Sequence, residues 1–168
     1  MARLNVIAHS PTRAMRALTD AVVAGTHDPA VLGVEVIVHE ALDFARGSAD
    51  HEDLLEADGF LLGTTANFGY MSGALKHVFD STFLHIGGAL EDAGAFEISR
   101  RTTRNRPFGL YVHGRYDTTG AVRSVLSITG ALGWRQAAEV LETMDEPTPM
   151  DLAAAYELGA TIAALLGT

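Results

Sequence analysis

The chain is 168 residues long, which is enough for one domain with a full hydrophobic core. Hydrophobic residues make up 48% of it and charged residues 20%, a composition that excludes disordered, collagen-like and coiled-coil chains. Twelve basic against 21 acidic residues give a formal net charge of −9, which disfavours nucleic acids and anionic membranes as partners because both repel an acidic protein. The chain has no cysteine, so disulfides, thiolate nucleophiles and cysteine-based metal sites are excluded.

The two ends of the sequence predict neither export nor membrane insertion. The apolar run at the N-terminus, within MARLNVIAHS, is too short for a signal peptide. The longest apolar stretch, 152–166, contains Glu157 and falls short of the roughly 18 apolar residues that a membrane-spanning helix needs. We therefore expect a cytoplasmic protein.

The first half of the chain alternates strand-like and helix-like patterns. Short apolar or β-branched runs predict strands, and apolar residues at helical spacing predict helices. The Ser72 side chain is suited to cap the N-terminus of the third of these helices. In chain order we predict a strand over 4–9, a helix over 14–25, a strand over 33–38, a short helix over 52–57, a strand over 60–63 and a helix over 72–83.

The second half resumes the alternation after a long interruption. The segment 85–106 has no clear periodicity and is too long for an ordinary connection, so we predict an irregular insertion that serves as a functional loop or flap. Beyond it we predict a strand over 107–113, a helix over 119–132, a strand over 137–141 and a last helix capped by Thr148 or Asp151.

Five strands separated by helices are typical of a three-layer α/β fold, in which helices cover both faces of a parallel sheet. We expect one domain over 1–168, and right-handed crossovers favour the strand order 2-1-3-4-5. Ligands of such sheets bind at the carboxyl ends of the strands, close to the point where the strand order reverses. The loops that follow strands one, three and four are therefore candidate binding elements.

The first of these loops leads directly from strand one into a helix. Its backbone N–H groups, the helix dipole, two hydroxyls and a guanidinium together predict a phosphate site, and the alternative is an ordinary helix cap at Ser10 or Thr12. The loop lacks the GxGxxG of dinucleotide-binding domains, and GxxxxGK[ST] occurs nowhere in the chain. The candidate residues are Ser10, Pro11, Thr12, Arg13, Ala14 and Met15.

The second loop carries the most specific pattern, because short motifs from residue 58 to residue 80 keep a fixed register. They read Asp58-Gly59, Gly63-Thr64, Phe68-Gly69, Met71-Ser72, Leu75-Lys76 and Phe79-Asp80. This stretch resembles the flavodoxin-like flavoproteins, above all the branch of NAD(P)H:quinone reductases of the tryptophan-repressor-binding-protein type and NADPH-dependent FMN reductases. One departure is Thr65, where that branch usually has proline, so we expect a less rigid turn here.

The resemblance implies a flavodoxin-like fold and non-covalently bound FMN, with the second loop against the flavin ring. The residues implied at the ring are Thr65, Ala66, Asn67, Phe68 and Gly69. Small and hydrogen-bonding residues let the backbone approach a polar ring edge, and Phe68 or Tyr70 offers an aromatic face for stacking. The alternative is a plain strand-to-helix turn with a buried Phe68.

By the same resemblance, the third loop lies at the pyrimidine side of the flavin through His113, Gly114 and Arg115. The related reductases usually have a glycine-rich run that ends in a carboxylate, and this chain keeps only Gly114 and Gly120. A cation at Arg115 would favour the reduced, anionic flavin; the alternative is an exposed side chain paired with Asp117. His113 is either a functional residue or an ordinary strand-end histidine.

A basic cluster lies inside the irregular segment. One interpretation is a solvated loop without a specific role. The other is a site for the 2′-phosphate of NADPH or for an acidic partner, because the guanidinium group suits phosphate recognition. The cluster consists of Arg100, Arg101, Arg104 and Arg106.

Together, the residues and the resemblance predict an FMN-dependent oxidoreductase, driven by NAD(P)H, that passes two electrons to a quinone or a similar small-molecule acceptor. The flavin supplies the redox chemistry of such a reaction, so we assign no catalytic side chain and no metal site. The alternatives are an electron-carrier flavodoxin, favoured by the acidic charge, and a flavodoxin-fold protein without flavin that has a structural or regulatory role. The reductases that the chain resembles form dimers and tetramers, which implies a homodimer or homotetramer.

Overall fold

The computed structural model describes residues 1–87 and 102–167, and within them seven strands join in one sheet with helices on both faces. The strands are β1 (Ala2–Ala8), β2 (Val34–Glu40), β3 (Gly59–Asn67), β4 (Tyr70–Met71), β5 (Pro107–Gly114), β6 (Arg135–Gln136) and β7 (Leu141–Met144). The helices are α1 (Arg13–Thr26), α2 (Asp43–Arg46), α3 (His51–Glu56), α4 (Gly73–Ile86), α5 (Thr119–Ala131) and α6 (Pro149–Leu166). Among these helices, none combines the length and the apolar character that crossing a membrane requires.

The centre of the sheet is parallel and has the order β2-β1-β3-β5. The short strands β6 and β7 both pair in parallel with β5 and together fill the fifth position, whereas β4 folds back antiparallel on β3. The predicted α/β fold, with a parallel sheet between two helical layers, is therefore confirmed, and so is the predicted order of its five positions.

The fifth position is built differently from the single strand predicted over 137–141, and that prediction is wrong. Gln136 at the end of β6 lies opposite Phe108, and Leu141 at the start of β7 lies opposite Tyr111, so the outer chain uses two more residues than β5 over the same distance. The extra residues bulge out of the sheet. An edge position tolerates such a bulge because the bulged chain has to match only one neighbouring strand.

Each face of the sheet packs against its own helices. On one face, α1 and α6 cover the buried side chains of Leu4, Val6 and Leu61. On the other face, α3, α4 and α5 pack around Phe60 and Trp134, whose rings stack with their centroids 3.9 Å apart. Burial of these two apolar layers is the main favourable contribution to folding, and it supports the carboxyl edge of the sheet from both sides.

Helices α1 and α6 touch backbone to backbone. A Cβ at Gly25 would lie 1.9 Å from the Tyr156 carbonyl oxygen, and a Cβ at Gly159 would lie 2.0 Å from the Val22 carbonyl oxygen. Only glycine allows these approaches. The contact fixes α1 on the sheet, so the N-terminus of α1 has a defined place at the carboxyl edge.

Helix α4 extends into the segment 85–106 that is predicted to be irregular. Helix α4 continues to Ile86, because the helical pattern extends one turn beyond its predicted end. Residues 88–101 lie outside the described residues, and Arg100 and Arg101 with them. On the far side of that gap, the Thr103 hydroxyl donates a hydrogen bond of 3.2 Å to the Ile86 carbonyl, which joins the two flanks of the segment.

Arg106 does not belong to a solvated basic cluster, and that interpretation is wrong for this residue. Its guanidinium donates hydrogen bonds of 2.7 and 2.9 Å to the carbonyls of Leu54 and Leu55 in the last turn of α3. A cation at this position satisfies carbonyls that a helix end leaves without partners, and it is favoured by the helix dipole. Arg104, in contrast, is exposed.

Candidate functional site

Strands β1, β3 and β5 run in the same direction, so the loops that follow them meet at one edge of the sheet. We call them the first loop (residues 9–12), the hairpin (residues 65–71) and the third loop (residues 113–118). The residues predicted to bind a ligand lie in these three segments or in the first turn of α1, directly after the first loop.

The first loop ends in the N-terminal cap of α1. The Thr12 hydroxyl oxygen accepts a hydrogen bond of 3.1 Å from the Met15 N–H, which leaves the hydroxyl hydrogen available to a ligand. The side chains of Ala14 and Met15 are buried in the core, whereas Arg13 is exposed. The N–H groups of Arg13 and Ala14 open the helix and therefore have no intrahelical acceptor. The loop thus presents two backbone donors, one hydroxyl and one guanidinium to an anion.

The Ser10 hydroxyl is directed into the protein. It lies 2.8 Å from the Thr19 hydroxyl, to which the Tyr111 hydroxyl donates a hydrogen bond of 3.0 Å. Burial raises the pKa of Tyr111 well above its ordinary value, so the phenol stays protonated. Gly63 makes room for the phenol, since a Cβ there would lie 2.3 Å from Tyr111 Cζ. This chain of hydroxyls ties the first loop to β5.

A carboxylate that the sequence analysis missed also contacts the first loop. His9 Nδ1–H donates a hydrogen bond of 2.8 Å to Glu40 Oε1, and the Ser10 N–H lies 3.5 Å from Glu40 Oε2. Glu40 ends β2, and it reaches the loop because β2 pairs with β1 so that Ala8 lies opposite Glu40. The only signal in the sequence was the polar pair His39-Glu40 that follows the strand predicted over 33–38, next to strand one.

The second loop is a β-hairpin. Ala66 pairs with Met71 and Asn67 with Tyr70, which leaves Phe68 and Gly69 as the two turn residues. Their φ angles of 50° and 75° are both left-handed, as a two-residue type I′ turn requires. The Phe68 side chain is fully exposed, so the alternative of a buried phenylalanine is wrong. A left-handed residue other than glycine costs about 1 kcal/mol, so this exposed ring is held in a strained position.

The hairpin rests on the start of α5. A Cβ at Gly120 would lie 1.9 Å from the Gly69 carbonyl oxygen, and the Met71 N–H donates a hydrogen bond of 3.4 Å to the Ser124 hydroxyl. The residue that allows the hairpin to approach α5 is thus Gly120. In the sequence it stood out only as one of two glycines kept from the glycine-rich run of the related reductases. At the base of the hairpin, Thr65 is buried and its hydroxyl has no partner among the described residues.

The third loop begins in register with the base of the hairpin. Thr65 lies opposite His113, and His113 lies opposite Thr143, so the three side chains form one row across β3, β5 and β7. His113 Nε2–H donates a hydrogen bond of 2.6 Å to the Asp145 carbonyl, which fixes the ring. The Thr143 hydroxyl is buried and, like that of Thr65, has no partner in the described part of the chain.

The Arg115 guanidinium is exposed and lies 5.7 Å from the centre of the Tyr116 ring. Asp117 instead accepts a hydrogen bond of 3.0 Å from the Thr119 N–H, and hydrogen bonds to Thr119 lower the pKa of this carboxyl. The interpretation of Arg115 as a partner of Asp117 is therefore wrong: within residues 1–87 and 102–167 no carboxylate forms an ion pair with Arg115. A Cβ at Gly114 would lie 2.7 Å from a methyl group of the same loop.

A cleft of about 360 Å³ joins the first loop to the third loop. Two arginines and two acidic residues line it, and neither acidic residue, Asp145 or Glu146, was predicted, because the strand that precedes them was misplaced. Its lining consists of Thr12, Arg13, Ala14, His113, Arg115, Asp145 and Glu146. The predicted hairpin residues do not line this cleft, although Thr65 adjoins it through His113. In the described residues, no group of three or more His, Asp or Glu side chains is placed to hold a metal ion.

Comparisons by sequence and by structure give different results. No protein-family model matches the sequence, and no curated protein matches it. Among solved structures, a flavodoxin from the domain Archaea has a TM-score of 0.75 at 16% identity and covers 98% of each chain. The flavodoxin, WrbA-like protein from Agrobacterium tumefaciens has a TM-score of 0.71 at 16% identity and covers 99% of this chain and 98% of that one. Oxidised flavodoxin 1 from Bacillus cereus has a TM-score of 0.70 at 16% identity and covers 96% and 97%. Similarity over almost the whole chain shows that this protein has the flavodoxin-like fold.

Proposed function

We propose that the protein binds FMN at the carboxyl edge of its sheet and acts as a flavin-dependent oxidoreductase. The observation that carries this proposal is the cleft, which extends from the anion donors at the start of α1 to the third loop. The proteins of the same fold include flavodoxins and a WrbA-like protein, which supports a flavin as the ligand.

The donors of the first loop suit the phosphate end of FMN. A phosphate at the N-terminus of α1 would accept hydrogen bonds from the N–H groups of Arg13 and Ala14 and from the Thr12 hydroxyl, and it is favoured there by the helix dipole. The Arg13 guanidinium adds a positive charge in a chain whose formal net charge is −9.

The hairpin and the third loop suit a flat ring with polar edges. Phe68 presents an exposed aromatic face, and an offset stack contributes about 0.5–1.5 kcal/mol beyond surface burial. The Thr65 hydroxyl has an unused hydrogen-bonding capacity, and Arg115 has no carboxylate partner in the described part of the chain. The redox chemistry is supplied by the flavin when it is bound, while the side chains position the ring and adjust its charge balance.

The finer reaction that we propose is reduction of a quinone or similar small acceptor by two electrons from NAD(P)H. The resemblance of residues 58–80 to quinone reductases and the WrbA-like neighbour favour it. An electron-carrier flavodoxin is an equally supported candidate, because flavodoxins share the fold and an acidic protein suits docking on basic partners. A flavodoxin-fold protein without flavin is the third candidate, favoured by the sparse glycines of the third loop.

Recognition of the NADPH 2′-phosphate is a narrower proposal than the sequence suggested. Arg106 is engaged with α3, so the hypothesis rests on Arg100, Arg101 and Arg104. Replacing Arg100 and Arg101 together by alanine should reduce the preference for NADPH over NADH. An unchanged ratio of the two apparent affinities would contradict the hypothesis.

The decisive test of FMN binding compares two charge-matched variants with the wild type. Absorption and flavin fluorescence are followed as FMN is added to wild type, Arg13→Gln and Arg135→Gln. Arg135 is the control because it is exposed on β6 and lies opposite Pro107 at the amino end of β5, away from the carboxyl ends of the strands. We expect saturable binding by wild type and Arg135→Gln and about tenfold weaker binding by Arg13→Gln, which loses one charged phosphate donor. A wild-type protein that remains colourless after addition and removal of excess FMN would overturn the proposal.

Redox measurements separate the enzyme from the carrier. Anaerobic NADPH or NADH should bleach the flavin absorption of a reductase within seconds, and a quinone should restore it. A carrier would react slowly with both nucleotides and would titrate in two separate one-electron steps. Light scattering on the loaded protein then measures whether it assembles as the proposed homodimer or homotetramer.

A further inference from the structure

Glu40 places a negative charge in the loop that the proposed function assigns to a phosphate. Its carboxylate accepts the hydrogen bond from His9 Nδ1–H at 2.8 Å and lies 3.5 Å from the Ser10 nitrogen. The backbone of Glu40 is itself fixed, since its N–H donates a hydrogen bond of 3.0 Å to Asp43 Oδ2. The backbone of Glu40 and both oxygens of its carboxylate therefore have defined partners, and this position is a feature of the fold.

The first loop has few donors to spare for this carboxylate. Pro11 has no N–H, and the Ser10 hydroxyl is directed to Thr19. The Ser10 N–H is thus one of the few backbone donors before α1, and Glu40 occupies it. A carboxylate and a phosphate are both anions that seek the same N–H groups, so the two compete for the loop and repel each other.

We infer that Glu40 is a determinant of ligand specificity, because it lowers the affinity of the first loop for a phosphate group and thereby narrows the difference in affinity between FMN and riboflavin. The inference rests on the proposed binding of FMN. His9 acts as a positioning residue that holds the carboxylate beside the loop. Replacing Glu40 by glutamine keeps an acceptor oxygen for the Ser10 N–H but removes the charge.

The experiment measures dissociation constants for FMN, riboflavin and inorganic phosphate in four proteins. They are the wild type, Glu40→Gln, Glu40→Asp and Glu35→Gln, the last being a loss of the same charge elsewhere on β2, where Glu35 pairs with Arg3. We expect Glu40→Gln to bind FMN about tenfold more tightly at low salt, the size of effect that one unscreened charge near a protein surface produces, and to bind riboflavin unchanged. The dissociation constant of inorganic phosphate should fall by a similar factor, and added salt should shrink both gains.

The two companion variants decide whether charge is the cause. Glu40→Asp keeps the charge on a shorter side chain, so its FMN affinity should stay within about twofold of the wild type, and Glu35→Gln should change nothing. A gain in Glu40→Asp as large as that in Glu40→Gln would overturn the inference, as would an equal gain for riboflavin. Circular dichroism checks that each variant is folded, and Glu40→Ala, which also removes the charge, takes the place of Glu40→Gln if that variant is not folded.

Failure of the inference is distinguishable from failure of the proposed function. If the wild type binds FMN but Glu40→Gln binds it no more tightly, Glu40 has no such role and the protein is still a flavin-binding protein. If neither the wild type nor any variant binds FMN or riboflavin, the proposed function fails, and the inference fails with it.

Discussion

The first loop and the hairpin flank the same edge of the sheet, yet they are built in opposite ways. In the first loop, the Ser10 hydroxyl is tied through the Thr19 hydroxyl to Tyr111 in the core, and the Glu40 carboxylate accepts hydrogen bonds from the His9 ring and the Ser10 N–H. In the hairpin, the tip residue Phe68 is strained and fully exposed, and the contact with α5 is a close approach of backbones. The first loop is therefore fixed by the core before any ligand binds, whereas the exposed tip of the hairpin is not, and we propose that the tip gains its contacts from the ligand.

We expect the largest effect from displacing Tyr111, whose phenol supports the first loop through Thr19. Gly63→Ala should lower the free energy of unfolding by about 3 kcal/mol, because the new methyl group overlaps the Tyr111 ring in a packed core. Urea denaturation measures the change. Gly73→Ala is the control, since a Cβ at Gly73 meets nothing within 4 Å. If Gly63→Ala and the control unfold alike, the phenol does not depend on the space at residue 63.

Alkaline pH should reduce the contribution of Tyr111 to the stability of the folded protein. The pKa of Tyr111 is raised in the folded state by burial, so above its ordinary value of about 10 the unfolded chain loses a proton that the folded chain keeps. The contribution of Tyr111 to stability is therefore constant below pH 10 and falls by about 1.4 kcal/mol per pH unit above it. Tyr111→Phe should have a free energy of unfolding about 1 kcal/mol lower at pH 7, because it lacks the hydrogen bond to Thr19. Its free energy of unfolding should also decline less steeply above pH 10. Equal slopes for both proteins between pH 9 and roughly 11 would refute the assignment.

Detaching the hairpin should cost less than disturbing the first loop. Gly120→Ala places a methyl group against the Gly69 carbonyl, but the exposed hairpin can move away, so we expect a loss of about 1 kcal/mol. The matched control on the same helix is Gly130→Ala, where a Cβ would meet nothing within 4 Å. Thermal unfolding compares the two, and FMN affinity should fall only in Gly120→Ala. A loss as large as that in Gly63→Ala would show that the hairpin is as firmly built as the first loop.

We expect the smallest effect on stability from a substitution at the tip of the hairpin. Asn tolerates a left-handed φ better than Phe does, so Phe68→Asn should raise the free energy of unfolding by about 0.5–1 kcal/mol. The same change removes the aromatic face and should weaken FMN binding by about threefold to tenfold. Calorimetry measures both quantities. A variant that is less stable, or that binds FMN as well as the wild type, would show that Phe68 is not held for contact with a ligand.

Much of the fold could be predicted because local patterns and global architecture agree. The apolar runs of β1, β3 and β5 are buried on both faces, and the Ser72 hydroxyl caps α4 by accepting a hydrogen bond of 3.2 Å from the Leu75 N–H, as its sequence position indicated. The first loop was located for the same reason, since a strand that runs straight into a helix leaves unsatisfied N–H groups between them.

The missing parts depend on contacts that sequence order hides. The hairpin turn escaped prediction because a phenylalanine at positive φ is not a usual turn signal. Glu40 acts on Ser10 across 30 positions of sequence, and only the pairing of β1 with β2 brings them together. Asp145 and Glu146 were overlooked because the bulge between β6 and β7 shifts the end of the fifth strand.

The hydrogen bond between Thr103 and Ile86 acts as a clasp, and Thr103 also accepts a hydrogen bond of 2.8 Å from the Trp134 indole N–H. Entry and exit of the stretch 88–101 are therefore joined to each other and to the core, independently of what connects them. In general, a flexible connection between two fixed flanks can change in length at a cost in closure entropy that grows slowly, about 0.6 kcal/mol for each doubling. Residues inserted between these two flanks would therefore leave the packing of the sheet unchanged, and such an insertion would be a route to a new binding element.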